Sequence, residues 1–160
     1  MYINIKKDMK KIFLILFLSA CSFQPIFSGR DTDVYVSPIQ GINGIELRNA
    51  LNAKFGGIHN QNAKYNLTVY LRDPVTQYKA FERTGDATWQ EVKLTANYVL
   101  KYQDKEIAQG TESASESYTF VRYLVASNAS YNNAVENTIQ TLAEKISMRV
   151  ITETQKTKID

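Results

Sequence analysis

The 160-residue sequence predicts an α+β fold. The expected form is a two-layer sandwich in the order β-α-β-β-β-α, a four-stranded mixed sheet with two helices packed on one face. Three observations lead there. Residues 65–72 and 90–102 alternate apolar and polar side chains, the period of a half-buried strand. Residues 44–55 and 135–150 instead place apolar side chains three or four apart, the period of a one-faced helix. The first 33 residues follow neither pattern, so the expected domain spans 34–154, after a leader (1–20) and a tether (21–33) and before a tail (155–160).

The elements follow in order. Residues 34–39, Val-Tyr-Val-Ser-Pro-Ile, alternate as a first strand, and Pro38 confines them to an edge or a strand end. In 44–55 the stripe is Leu47, Leu51 and Phe55; Gly56 and Gly57 then stop the helix, because glycine enters the left-handed region without a Cβ clash. In 65–72, Leu67, Val69 and Leu71 face one way, and Thr68, Tyr70 and Arg72 the other. Asp73-Pro74 ends that strand. Residues 75–86, rich in Thr, Gln and charge, are expected to be an extended loop or a frayed strand end. In 90–102, Val92, Leu94, Ala96, Tyr98, Leu100 and Tyr102 oppose Lys93, Thr95, Asn97 and Lys101. A turn at 103–106 leads into a more polar strand at 107–121. Val135, Ile139, Leu142, Ile146 and Val150 then mark a helix beginning between Ser127 and Asn133, and the tail from Thr152 is expected to fray into water. Two one-faced helices beside one sheet are most economically buried on a single side, leaving the other side polar. The first β-α-β unit is expected to cross over right-handed.

The leader has its own chemistry. Lys6, Lys7, Lys10 and Lys11 precede an unbroken apolar run, 12–18. That run is ~10 Å long as a helix, against a bilayer core of ~30 Å, so it reads as a secretory signal and not as a span. Its start is Met1 or Met9, since Met9 is also followed by two lysines. Leu18-Ser19-Ala20-Cys21 resembles the bacterial lipobox. There a cysteine thiolate, a far better nucleophile than a hydroxyl, accepts a diacylglyceryl group before the peptide is cut ahead of it. Cys21 is thus the expected lipidation site, and a covalent lipid on it the only prosthetic group expected, with no cofactor. The leader holds four of the 19 basic and one of the 16 acidic side chains, which leaves 15 of each in the mature part. A surface without net charge gives no footprint for nucleic acid. With the sole cysteine lipidated, no intrachain disulfide or cysteine metal site remains.

Catalytic patterns are sparse. His59 is the only histidine and falls in a Gly/Asn/Gln loop. Glu112 and Glu116 share one strand face, as an acid/base pair would, but solvated charges fit that polar strand better. Arg83-Thr84-Gly85-Asp86 is too short for a phosphate loop. A binding protein fits better than an enzyme.

Residues 21–29, CSFQPIFSG, are similar to the Cys-Gly-Phe-x-Pro-Leu-Tyr-Gly start of alphaproteobacterial LptE, the lipopolysaccharide-assembly lipoprotein family. Residues 94–118, LTANYVLKYQDKEIAQGTESASESY, resemble its central hairpin, and the terminal amphipathic helix agrees with it. Ser22, Phe27 and Lys105 depart from its usual Gly, Tyr and turn Gly, and Trp89 stands where an arginine is common. The resemblance implies a non-enzymatic lipoprotein anchored in the inner leaflet of the outer membrane and facing the periplasm. Its partners would be the LptD β-barrel and lipopolysaccharide. The cations expected to meet lipid phosphates are Arg72, Lys79, Arg83, Lys93 and Lys101. Two other readings stay open. One is an auxiliary lipoprotein of an ABC-type envelope transport system. The other is an enzyme acting on envelope polymers, which would need a convergent acid/base pair.

Overall fold

The computed structural model describes residues 32–81, 87–120 and 123–157. Its elements are β1 (Val34–Val36), α1 (Ile42–Lys54), β2 (Tyr65–Leu71), β3 (Val75–Phe81), β4 (Ala87–Tyr102), β5 (Lys105–Thr119) and α2 (Leu124–Lys156). The architecture is α+β, a five-stranded mixed sheet with a helical layer.

β4 is the axis of the sheet. β5 pairs with it antiparallel from Trp89 to Tyr102. The opposite edge of β4 is shared by two strands. β2 pairs with residues 96–102 and β3 with residues 87–93, both antiparallel. β2 and β3 therefore form one rail, interrupted between Leu71 and Val75. The Arg72 amide still donates to the Thr95 carbonyl at 2.9 Å, but Pro74 has no N–H to continue the ladder. β1 adds a short parallel strand outside β2.

The expected loop at 75–86 is in part a strand, so the sheet has five strands where four were expected. Thr76, Gln77 and Lys79 hide the strand from a hydropathy reading. β3 is held by backbone bonds to β4 at a sheet edge, where polar side chains carry no burial cost. β1 stops at Val36 and does not run on to Ile39.

One face of the sheet is dry. Val34, Val36, Leu67, Val92, Leu94, Ala96 and Leu100 are all sealed from solvent on it. Against them lie Ile139, Leu142, Ala143, Ile146 and Val150 of α2, and Leu47 and Leu51 of α1, with Phe55 just beyond its end. Both helices thus share this face, and α2 packs on β4, β5 and α1. α2 begins at Leu124, earlier than expected, and continues to Lys156 without fraying at Thr152. Its last turns have partners: Thr154 is buried and its carbonyl accepts the Tyr65 hydroxyl at 3.3 Å.

Local sequence sets the joints. Gly56 and Gly57 take φ of 93° and 135°, and the Gly57 amide returns to the Asn52 carbonyl at 2.9 Å, which closes α1. Gln103 and Asp104 have φ of 47° and 65°, the two-residue turn that matches the twist of a hairpin. Thr32 donates from its amide and its hydroxyl to the Phe55 carbonyl, and Arg48 Nε donates to the Val36 carbonyl at 3.0 Å. These bonds tie β1 and its entry to α1.

Gly44 gives a decisive substitution. Alanine is the better helix former by ~1 kcal/mol, so propensity alone predicts stabilisation. A Cβ at Gly44, however, would lie 2.9 Å from Ile39 Cγ2 and 3.0 Å from the Ile39 backbone carbonyl. Overpacking against backbone costs about 1–3 kcal/mol. Gly44→Ala is expected to lower the urea midpoint at unchanged m-value; an unchanged or higher midpoint would refute this contact.

The buried phenols predict a pH dependence. Burial raises the pKa of Tyr65, Tyr98 and Tyr118 above the ordinary 10.0, helped at Tyr98 by the Glu112 carboxylate and opposed there by Arg149. The unfolded chain therefore loses these protons first. The stabilisation is complete below pH 10 and is lost as pH rises through the folded-state values. Tyr98→Phe is expected to make the fall of the urea midpoint above pH 10 shallower, whereas identical slopes would mean that the phenol titrates alike in both states.

Candidate functional site

The face of the sheet away from the helices carries the candidate residues. Alternation places Asn66, Thr68 and Tyr70 of β2 there, with Glu91, Lys93, Thr95, Asn97 and Lys101 of β4 and a run of Ser and Thr from β5. Lys93, Lys101, Arg72 and Lys79 are all exposed. The sequence places these cations on the polar face and in the loops of the sheet; the structure puts Lys79 on a strand and adds how the cations are grouped.

Arg72, Lys79 and Lys93 share one end. Arg72 is bonded through its amide to Thr95, and Val75 sits opposite Lys93. Lys79 Nζ lies 3.1 Å from Glu91 Oε1, and Glu91 is two residues from Lys93 on the same face. This pair is solvated and contributes ~0–1 kcal/mol. Arg72 and Lys93 make no ion pair among the described residues. Lys101 stands apart, opposite Asn66. It is eight positions along the strand from Lys93, ~27 Å at the usual rise. Arg72 also borders a groove of about 320 Å³ at the start of α1, together with Gly41, Ile42 and Pro74. Arg83 and Cys21 lie outside the described residues.

The carboxylates do not converge. Glu112 is on the helix side of β5, where its Oε1 accepts from Arg149 Nε of α2 at 3.1 Å. Glu116 is exposed two turns of pleat further along. His59 lies in the loop between α1 and β2. Among the described residues, no three His, Cys, Asp or Glu side chains gather as a metal site. No helix among them is long and apolar enough to cross a membrane.

Two exposed apolar regions were not singled out by the sequence reading. Tyr78, Trp89, Phe120, Tyr123, Leu124 and Val125 are exposed at the end of the sheet away from the Gln103-Asp104 turn. Ile42 and Ile45 are exposed on α1. The available signal for the second was local: both isoleucines fall off the Leu47/Leu51/Phe55 stripe.

The chain matches no family model and no curated protein sequence. Solved structures do match its fold. A candidate lipoprotein of Caulobacter crescentus aligns over 78% of this chain and 92% of its own, with a TM-score of 0.62 and 19% identity. Rare lipoprotein B of Shewanella oneidensis aligns over 79% of this chain and 98% of its own, with a TM-score of 0.61 and 12% identity. A minor lipoprotein of Acinetobacter baumannii aligns over 75% and 91%, with a TM-score of 0.54 and 17% identity. At these identities the likeness is one of fold alone, and that fold is shared with several bacterial lipoproteins.

Proposed function

We propose that this chain is an outer-membrane lipoprotein, held by a covalent lipid on Cys21 to the inner leaflet and facing the periplasm. In this reading it partners the LptD β-barrel in lipopolysaccharide assembly and catalyses no reaction. The observation that carries the reading is a coincidence of two independent features. A leader ending in Leu-Ser-Ala-Cys precedes a domain whose fold covers 98% of rare lipoprotein B.

The physical chemistry supports each part. Each buried acyl methylene contributes ~0.8 kcal/mol, and stable anchoring needs more than one chain, which lipidated Cys21 would carry. The lumen of a large barrel is polar. A domain entering it needs a polar exterior, and the open sheet face offers Ser, Thr, Asn and spaced charges. The cations on that face suit phosphate groups of a lipid.

The test is affinity purification of the C-terminally tagged chain from detergent-solubilised envelopes. The expected product is a large outer-membrane β-barrel in near-equal amount. Recovery of an ATPase with a permease, or of no stable partner, would overturn the reading.

The grouping of cations predicts unequal roles in lipopolysaccharide binding by the purified mature domain. A charge-assisted contact contributes ~1.5–3 kcal/mol, so losing one costs about tenfold or more in affinity. Lys93→Glu, beside Arg72, is expected to weaken binding about tenfold, and Lys101→Glu less than twofold. Equal effects, or none, would dismiss the Arg72–Lys93 end as the contact.

A further inference from the structure

The helical layer carries a second surface with different chemistry. On the first turn of α1, Ile42 is 79% and Ile45 58% exposed. Neither joins the core, although isoleucine is among the residues most often sealed inside. Beside them a groove of about 350 Å³ lies between α1 and α2. Ile42, Tyr131 and Val135 supply its apolar lining, and its only charged lining residues are Glu46 and Glu136. Both carboxylates are exposed, and neither has an ion-pair partner among the described residues.

We propose that this groove, with the Ile42–Ile45 ridge, docks a segment of a partner protein that carries an aliphatic side chain flanked by lysine or arginine. Charge selects this occupant. An anionic lipid surface would bring phosphates against Glu46 and Glu136. A second copy docked on the same surface through a twofold axis would bring carboxylates against carboxylates. Both arrangements are repulsive. A cationic segment instead pairs with both carboxylates at the rim while its aliphatic side chain covers Ile42 and Val135, an apolar centre with a polar rim. The surface lies on the helical layer, and Ile42 joins it to the neighbouring groove that Arg72 borders; the inference stands whether or not the partner is the barrel.

The experiment places a photo-reactive phenylalanine analogue at Ile42 or Ile45 of the full chain in its native envelope, with Met148, 50% exposed on α2, as the control position. Cross-linked peptides are sequenced by mass spectrometry. The expected result is one protein segment with Lys or Arg beside an aliphatic residue, absent from the Met148 control. Its yield should fall at least tenfold when Glu46→Lys and Glu136→Lys are combined, and fall less with Glu46→Gln and Glu136→Gln. The urea midpoint of each variant shows that it folds. No cross-link, lipid adducts, cross-links to a second copy, an acidic segment, or a yield indifferent to charge reversal would each overturn the proposal. Failure to recover a barrel by affinity purification would not.

Discussion

The seam between β4 and α2 is the constraint on which the rest of the structure depends. β4 runs for 16 residues, and its inner row, Val92, Leu94, Ala96, Tyr98 and Leu100, is almost entirely removed from water. A strand of that length is ~50 Å long and needs a cover of similar length. α2, with 33 residues, is ~50 Å long. Its row of Ile139, Leu142, Ala143, Ile146 and Val150 lies in the same core. Neither element could keep its apolar row dry alone. The connection between them is β5, which leaves β4 through a two-residue turn, returns along its whole length and delivers the chain to α2. Tyr118 of β5 then packs edge-on against Tyr131 of α2, with ring centres 5.7 Å apart. Two further contacts fasten the same pair: Arg149 holds Glu112, and Lys145 Nζ donates to the Ser113 carbonyl at 2.8 Å.

Everything else fits around that seam. Because β5 occupies one edge of β4, the remaining strands must share the other, and Asp73-Pro74 divides that edge into β2 and β3. α1 covers the part of the inner face that α2 leaves, above β1 and β2. Gly44 allows the close approach of α1 to Ile39, and Gly56-Gly57 turns the chain back toward β2. Glycine at 44 is thus a packing requirement set from outside the helix, in opposition to helix propensity.

The legibility of this fold in the sequence follows from the seam. Elements that bury a row on one face write that row into the chain, so β2, β4, the α1 stripe and the α2 stripe could be read from spacing alone. β3 could not, because backbone pairing holds it at an edge and its side chains need not be apolar. The start of α2 was obscured for a related reason: Leu124 and Val125 are helical yet exposed, so they add nothing to the buried period. The candidate site was legible as residue types and faces but not as distances. Lys93 and Lys101 share a face within one strand and are still ~27 Å apart. Arg72 and Lys93 are far apart in sequence and adjacent in space, because the β2–β3 rail folds onto β4. Cys21 differs from all of these, since its reading needs only its immediate neighbours.

The two-layer architecture also decides whether opposite charges on the molecule interfere. Residues 21–160 hold 15 acidic and 15 basic side chains, so they have no net charge with which to steer a ligand. Selectivity must come from local groups. Lys93 and Lys101 stand on the open sheet face, and the Glu46–Glu136 groove lies between the helices that cover the other face; Arg72 reaches toward it, since Ile42 lines both its groove and this one. Exposed charges further apart than the Debye length, ~8 Å at physiological ionic strength, are largely screened from one another. Across the sheet, the carboxylates of the helical layer therefore do little to neutralise Lys93 and Lys101, and those two cations do little to neutralise Glu46 and Glu136. A near-neutral domain of two layers is able to present a cationic surface to an anionic ligand and an acidic, apolar groove to a cationic segment at the same time. Had the same residues been placed on one layer, each set would have cancelled the other.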